Sequence, residues 1–403
     1  MPLDLVPTLS DLIAIPSVNP MGRDVDGPEY LEYRVTDYLE KLFQHQGFRY
    51  KRYVVSPKRD NILIRVDGDL PLPEQGGPLV LMEAHQDTVP VEGMTIDPWT
   101  PTVRDGRIYG RGSCDIKGGM TAMLGAMVRL REEQPRNRPT VVLACVVNEE
   151  FGFTGATDLT KLWTPGVKPD DLLPKRPDVC VVAEPTSLDV VVAHKGTMRW
   201  RIHTHGRASH SSQPHLGDNA VYKMARVLLA LEQYAKEVCP TLGSHPLVGK
   251  ATLSVGLIRG GISVNTVPDR STIEICRRVL PGEKAADARE KVIDWLAARE
   301  ELQPILGAIE HEPAFISGFS LSDDNNGALA ERLGEVSHRI TGRGKRIGVP
   351  YGTDASRIAA ADVPSVVFGP GSIDQAHTCD EWLPLDELPQ AAEVLYEFCR
   401  TWG

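Results

Sequence analysis

The stretch Leu79-Val80-Leu81-Met82-Glu83-Ala84-His85-Gln86-Asp87 decides the fold. Five of its first six residues are apolar, and the run stops at a histidine and an aspartate. A near-continuous apolar run of this length suits a strand covered on both faces. Three other runs have the same form. Residues 140–147 lead into Asn148-Glu149-Glu150, and residues 179–183 into Glu184-Pro185. Residues 363–368 lead through Gly369-Pro370-Gly371 to His377. Residues 61–66 add a fifth apolar run. Between these runs Met123, Ala126, Met127 and Leu130 recur at helical spacing, in a helix that begins near Lys117. Strands alternating with helices predict an α/β fold, with a mixed, mostly parallel sheet flanked by helices. Ligands of such sheets bind beyond the carboxyl ends of the strands. Four of the predicted ends carry His, Asp or Glu.

The middle of the chain has a different pattern. Residues 193–205 alternate, with Met198, Trp200 and Ile202 on one face. A helix follows, marked by Val221, Ala225, Leu228 and Leu229. Strands are expected over 251–258 and 271–280, and a second helix over 285–298. Half-exposed strands with helices to one side predict a small α+β domain. The α/β style returns after about residue 315, with a helix over 326–340 and the buried run 363–368. The expected organisation is residues 1–192 and 315–403 as one catalytic domain, interrupted by an inserted domain over 193–314.

The chain has 403 residues, 41% hydrophobic and 24% charged, so a disordered chain is excluded and two to three domains are expected. Lys plus Arg number 44 against 54 Asp plus Glu, a net charge of −10. That balance argues against nucleic-acid binding and against docking on an anionic membrane. No apolar run approaches the ~18–20 residues that span a bilayer. Asp4 and Pro7 stand where a secretory leader carries basic and apolar residues. The seven cysteines are odd in number, widely spaced and without a C-x-x-C pair. A disulfide framework is therefore not expected, and a soluble cytoplasmic protein is.

Each candidate residue also has an ordinary reading. His85 alone reads as a structural polar residue. Asp87, two positions on in an extended segment, shares its face and can buttress the imidazole, as metal-bound histidines commonly require. Asp115 lies in Gly110-Arg111-Gly112-Ser113-Cys114-Asp115-Ile116-Lys117-Gly118-Gly119. It stands where the third glycine of a dinucleotide fingerprint belongs, which counts against that cofactor. A helix cap is its ordinary role. Glu149-Glu150 would elsewhere be a solvated acidic turn. Delivered by a buried strand, the two carboxylates repel unless a cation lies between them. Glu184 gains weight as a fourth member, and His377 follows a glycine turn. His210, in Ala208-Ser209-His210-Ser211-Ser212, lies in the inserted region. H-E-x-x-H, G-x-S-x-G and P-loop signatures are absent.

Taken together, these motifs resemble those of the two-zinc amidohydrolases and exopeptidases that include acetylornithine deacetylase, succinyl-diaminopimelate desuccinylase, aminoacylase and carboxypeptidase G. The resemblance spans nearly the whole chain. It rests on Glu83 to Pro90, Gly110 to Gly119, Asn148 to Gly152 with Gly155, and Ala183-Glu184-Pro185. Gly206 to His210 with Pro214 and Asn219-Ala220, and Gly369-Pro370-Gly371 with Ala376-His377, complete it.

The resemblance implies that His85, Asp115 and Glu184 hold one Zn2+, and that Asp115, Glu150 and His377 hold another, with Asp115 bridging. Co2+ or Mn2+ can substitute for such ions. It further implies that Asp87 orients His85, that Glu149 is the general base, and that the peptide after Asp115 is cis. The inserted domain would be a lid and homodimerisation module, with His210 reaching across the dimer to the tetrahedral oxyanion. Asn265 and Arg278 would bind the substrate carboxylate. Cys276 departs from the family, which often has Asp two residues before this arginine. The expected activity is hydrolysis of the amide of a small N-acyl amino acid, in the style of acetylornithine deacetylase. A metallo-exopeptidase acting on small peptides is the alternative, followed by a non-catalytic metal-binding protein.

Overall fold

The four apolar runs that end in His, Asp or Glu form the four parallel strands in the middle of one eight-stranded sheet. The computed structural model of the protein describes residues 3–403. Across this sheet the strands are Arg49–Ser56, Arg59–Val66, Thr140–Val146, Leu79–His85, Val179–Val182, Ser365–Val367, Val190–His194 and Arg346–Val349. The third to sixth pair in parallel. The first three pair antiparallel, and Ser365–Val367 pairs antiparallel with Val190–His194. Every residue of Leu79–His85, Thr140–Val146 and Val179–Val182 is buried, as their unbroken Val/Leu/Ile character requires. Parallel pairing brings the carboxyl ends of all four central strands to one edge of the sheet.

The helix Lys117–Glu133 starts directly after Asp115-Ile116 and is buried over most of its surface. It packs against the helices Leu5–Ile13 and Glu387–Thr401. The Lys117 side chain enters this core and donates from Nζ to the carbonyls of Leu12 (2.9 Å) and Ile15 (2.7 Å). Burial pushes its ammonium down to about 7. All seven cysteines are free, and five are buried as small apolar groups.

The described residues divide into two compact units. The first comprises residues 3–192, Asp323–Gly348 and Thr353–Gly403; the second comprises Ala193–Ser322 and Val349–Gly352. In the second unit an antiparallel sheet runs Thr252–Gly260, Arg270–Val279, Gly196–His205, Ile309–His311, and Ile316–Gly318 also pairs with Gly196–His205. Met198, Trp200, Ile202, Ile273 and Ile275 meet Met224, Val227, Leu231, Val292 and Leu296 in one core. The helices Ala220–Gln233 and Ala285–Ala297 supply those partners.

Two expectations need correction. The sequence predicts one strand over 193–205, but the chain forms two, Val190–His194 in the large sheet and Gly196–His205 in the smaller one. Lys195 separates them and marks the change of sheet. The sequence also predicts a return to the main body at 315. The chain instead stays in the second unit through Ser322, because Ile316–Gly318 pairs with Gly196–His205 and His194 bridges Leu321.

Candidate metal centre

The loop after Thr140–Val146 is built to present two adjacent carboxylates. Asn148 takes a left-handed backbone (φ 62°), which asparagine tolerates better than most residues. Phe153 N donates back to Asn148 O at 2.8 Å, closing the turn. Behind it, Asn61 donates to Gly155 O (2.8 Å) and accepts from Val147 N (3.1 Å). Gly155 leaves room for this approach: a Cβ there would lie 2.2 Å from the Val147 carbonyl oxygen.

Asp87 ties this loop to the end of the neighbouring strand. Its Oδ1 accepts from Glu149 N (3.1 Å), and its Oδ2 accepts from Glu150 N (3.1 Å) and Asn19 Nδ2 (2.8 Å). The imidazole of His85 bonds through Nδ1 to the Asp87 main-chain carbonyl at 3.0 Å, while the Asp87 carboxylate lies 3.6 Å from Nδ1. A carbonyl only accepts, so Nδ1 carries the proton and Nε2 faces the cluster. The carboxylate of Asp87 thus acts mainly on the backbone of Glu149 and Glu150.

Asp115 is the centre of the cluster, and its peptide with Ile116 is cis. Asp115 Oδ1 lies 3.2 Å from His85 Nε2, and Oδ2 lies 3.1 Å from His377 Nε2. Glu184 Oε1 is 3.8 Å from His85 Nε2, and Glu150 Oε1 is 3.4 Å from His377 Nε2. His85, Asp115 and Glu184 form one group able to hold a cation, and Asp115, Glu150 and His377 a second; within each, the donor atoms lie within 4.8 Å of one another. The first group is buried, whereas His377 opens the second to solvent. Glu149 stands beside both and is 7% exposed.

The electrostatics show a site short of positive charge. Burial pushes the carboxyls of Glu149, Glu150 and Glu184 above their ordinary range, and neighbouring carboxylates add to the rise. Burial also acts to raise Asp115, but its contacts with His377 and His85 outweigh this and hold it low. Both imidazoles resist the effect of burial because carboxylates surround them. His85 rises well above its ordinary value, and His377 is pushed up to about 11. Protons occupy positions where a cation does the same work. The buried Oε1 of Glu150, 3.4 Å from His377 Nε2, has no well-aligned hydrogen bond among the described residues. Imidazole and carboxylate donors with an unsatisfied oxygen fit a borderline divalent ion such as zinc.

The other three candidates lie in the second unit. His210 is exposed, with Nδ1 2.7 Å from Ser212 Oγ. Asn265 is exposed in the loop between the strands Thr252–Gly260 and Arg270–Val279, and its carbonyl accepts from Ser211 N at 2.9 Å. The exchange of main-chain contacts between 210–211 and 265–266 holds these two residues together. Arg278 is half-buried, and its guanidinium has no hydrogen-bond or ion-pair partner among the described residues. Its neighbour Arg277 points to the other face of the strand and is buried against Glu283 at 2.8 Å.

Two groups escape the sequence reading. Asn19 bonds to Asp87 and also to Asn148 Oδ1 (2.9 Å). In the sequence it marks only an Asn-Pro turn, 68 residues from Asp87. Arg111 and Glu381 form a buried pair beside Asp115; in the sequence Arg111 lies in the Gly110–Gly119 motif without a role of its own, and Glu381 is one acidic residue among many.

Comparison with known proteins gives the same direction. The model of the peptidase family M20/M25/M40 matches residues 81–401. An acetylornithine deacetylase of Vibrio cholerae serotype O1 is 31% identical over 378 residues, covering 92% of this chain and 90% of the relative. A metallo-carboxypeptidase structure from Sulfolobus solfataricus superposes with a TM-score of 0.76 at 17% identity, over 99% of each chain. A tripeptidase structure from Staphylococcus aureus gives 0.75 at 22% identity, covering 98% of this chain and 97% of that one. The chain is a hydrolase of the peptidase family M20/M25/M40.

Proposed function

We propose that this chain is a two-metal deacylase that hydrolyses the amide bond of a small N-acyl amino acid. The observation that carries the reading is the placement of Asp115, with one carboxylate oxygen toward His85 and the other toward His377. His85, Asp115 and Glu184 would hold one Zn2+, and Asp115, Glu150 and His377 the other. Two bound divalent ions supply Lewis-acid polarisation of the amide carbonyl and water acidified to a pKa of about 7.

The remaining work falls to the protein. Asp87 and Asn19 hold the Glu149-Glu150 backbone, so the Glu149 carboxyl keeps a fixed direction. Glu149 takes a proton from the attacking water and delivers it to the leaving nitrogen. Arg278, with its guanidinium unpaired among the described residues, is suited to grip a carboxylate, and Asn265 adds an amide donor. His210 donates to the developing oxyanion. The 31% identity to proteins named acetylornithine deacetylase supports a deacylase over an exopeptidase.

The test is a hydrolysis screen over N-acetyl, N-succinyl and dipeptide substrates, with and without a chelator. Turnover of N-acyl amino acids, lost with chelator and restored by Zn2+, is the expected result. Turnover confined to dipeptides favours the exopeptidase, and turnover indifferent to chelator overturns the metal reading.

A homodimer through the second unit is part of this reading. The strand Thr252–Gly260 is an edge strand, and Leu229, Leu257 and Ile258 are exposed. A cleft of about 540 Å³ between this strand and the helix Ala220–Gln233 is lined by Leu228, Leu229, Leu253 and Val255. An uncovered edge beside apolar surface favours self-association. If His210 acts across the dimer, mixing inactive His210→Ala and Glu149→Ala chains should restore a measurable part of the activity. No recovery in a population shown to contain mixed dimers, or full activity in a monomer, refutes the trans role.

A further inference from the structure

Asp115 is held in place by a device outside the two metal groups. Glu381 is fully buried and follows His377 by four residues. Its Oε1 accepts from two successive main-chain amides, Cys114 N at 2.9 Å and Asp115 N at 3.0 Å. Its Oε2 accepts from Arg111 Nη1 at 2.6 Å. Arg111 is itself 3% exposed, and its Nη2 donates to Pro90 O (3.2 Å) and Thr378 O (3.4 Å). The main chain adds a further tie, from Gly110 N to Glu381 O at 3.0 Å.

These bonds join three loops. Pro90 lies on the segment that follows His85, Asp115 is gripped through its own amide, and Thr378 is bonded to His377 in the chain. A buried ion pair is a weak source of net stability. Its geometry here is better suited to fixing where the loops stand. Orienting groups around a metal site commonly act through the residues that touch the ion. A single carboxylate oxygen shared by two adjacent amides fixes the plane from which the Asp115 side chain departs.

We propose that the Arg111–Glu381 pair is a positioning device that sets the metal affinity of the site by holding the loops of His85, Asp115 and His377 in register. The proposal rests on the two-metal reading above. Glu381→Gln keeps an acceptor for the two amides but turns an NH2 group toward Arg111. Arg111→Lys keeps the charge on Glu381 and loses the planar reach to Pro90 O and Thr378 O.

The test is competition for Zn2+ between each purified chain and a chromophoric chelator, with thermal unfolding of the metal-free forms alongside. The expected result for Glu381→Gln is Zn2+ affinity lowered by about 10–100-fold. Arg111→Lys should weaken chiefly the ion held by His377. A purely structural pair lowers the unfolding temperature of the metal-free protein and leaves affinity unchanged. Wild-type affinity for both ions in a folded Glu381→Gln or Arg111→Lys chain therefore overturns the proposal. If Glu381→Gln fails to fold, the affinity of Arg111→Lys decides. A wild-type chain that binds no Zn2+ overturns the two-metal reading, and this proposal with it. Wild-type binding of two ions with unchanged variants overturns this proposal alone.

Discussion

Glu149→Gln should abolish turnover while leaving two ions bound per chain. Glutamine has the shape of glutamate, so the loop and its bonds to Asp87 survive: those bonds use the main-chain amides of Glu149 and Glu150. What disappears is the carboxylate's charge and, with it, the capacity to accept and return a proton. General acid–base groups contribute typically ~10²–10⁴-fold, and the loss in kcat should fall in or above that range. Because Glu149 belongs to neither metal group, metal content should stay within error of wild type. Substantial residual kcat sinks the general-base role. Loss of one ion shows instead that Glu149 helps to hold metal.

Asp115→Asn should have the broader effect. Asp115 alone belongs to both groups, and its two oxygens face different histidines. Asparagine removes the negative charge and replaces one oxygen with a donor, which repels a cation. Metal content should fall from two ions to one or none. Losing several kcal/mol of charge stabilisation corresponds to about 10³-fold or more in kcat/KM. Stability should fall in both metal states. Without metal, the variant loses the charge-assisted contacts of Asp115 with His85 and His377 that hold its carboxyl low, so it should be less stable than the metal-free wild type. With metal, the wild type gains stability from binding and the variant does not. Thermal unfolding with and without Zn2+ measures both. A variant that keeps two ions and the full metal-dependent rise in Tm contradicts the shared role of Asp115.

The parts of this site that are legible in the sequence are those delivered by buried parallel strands. Leu79–His85, Thr140–Val146 and Val179–Val182 have apolar faces on both sides, so their runs are unbroken, and the charged residue after each is conspicuous. The strand Arg49–Ser56 has no such signature. It is a sheet edge with exposed Arg49, Lys51 and Val54, and it owes its state to seven paired positions with Arg59–Val66. The division of 193–205 at Lys195 is equally hidden, since both halves have strand character and only the tertiary structure assigns them to different sheets.

Residues that act through another residue are the harder class. Asn19 and Glu381 gain their meaning from partners 68 and 266 residues away. Neither lies in a run or a period that marks it. Asp87 is read from its spacing to His85, but its carboxylate is committed to the amides of the next loop, a geometry that spacing within one strand does not contain. Arg278 shows the reverse case. Alternation along Arg270–Val279 sends Arg277 inward to Glu283 and leaves Arg278 on the opposite face.

The most direct measurement is the number of Zn2+ ions bound per chain at saturation, obtained by equilibrium dialysis and elemental analysis. His85, Asp115, Glu184, Glu150 and His377 as two groups sharing Asp115 predict two ions, released together with the loss of amide hydrolysis on chelation. A stoichiometry of one or none in a folded chain, or hydrolysis that persists without metal, contradicts it.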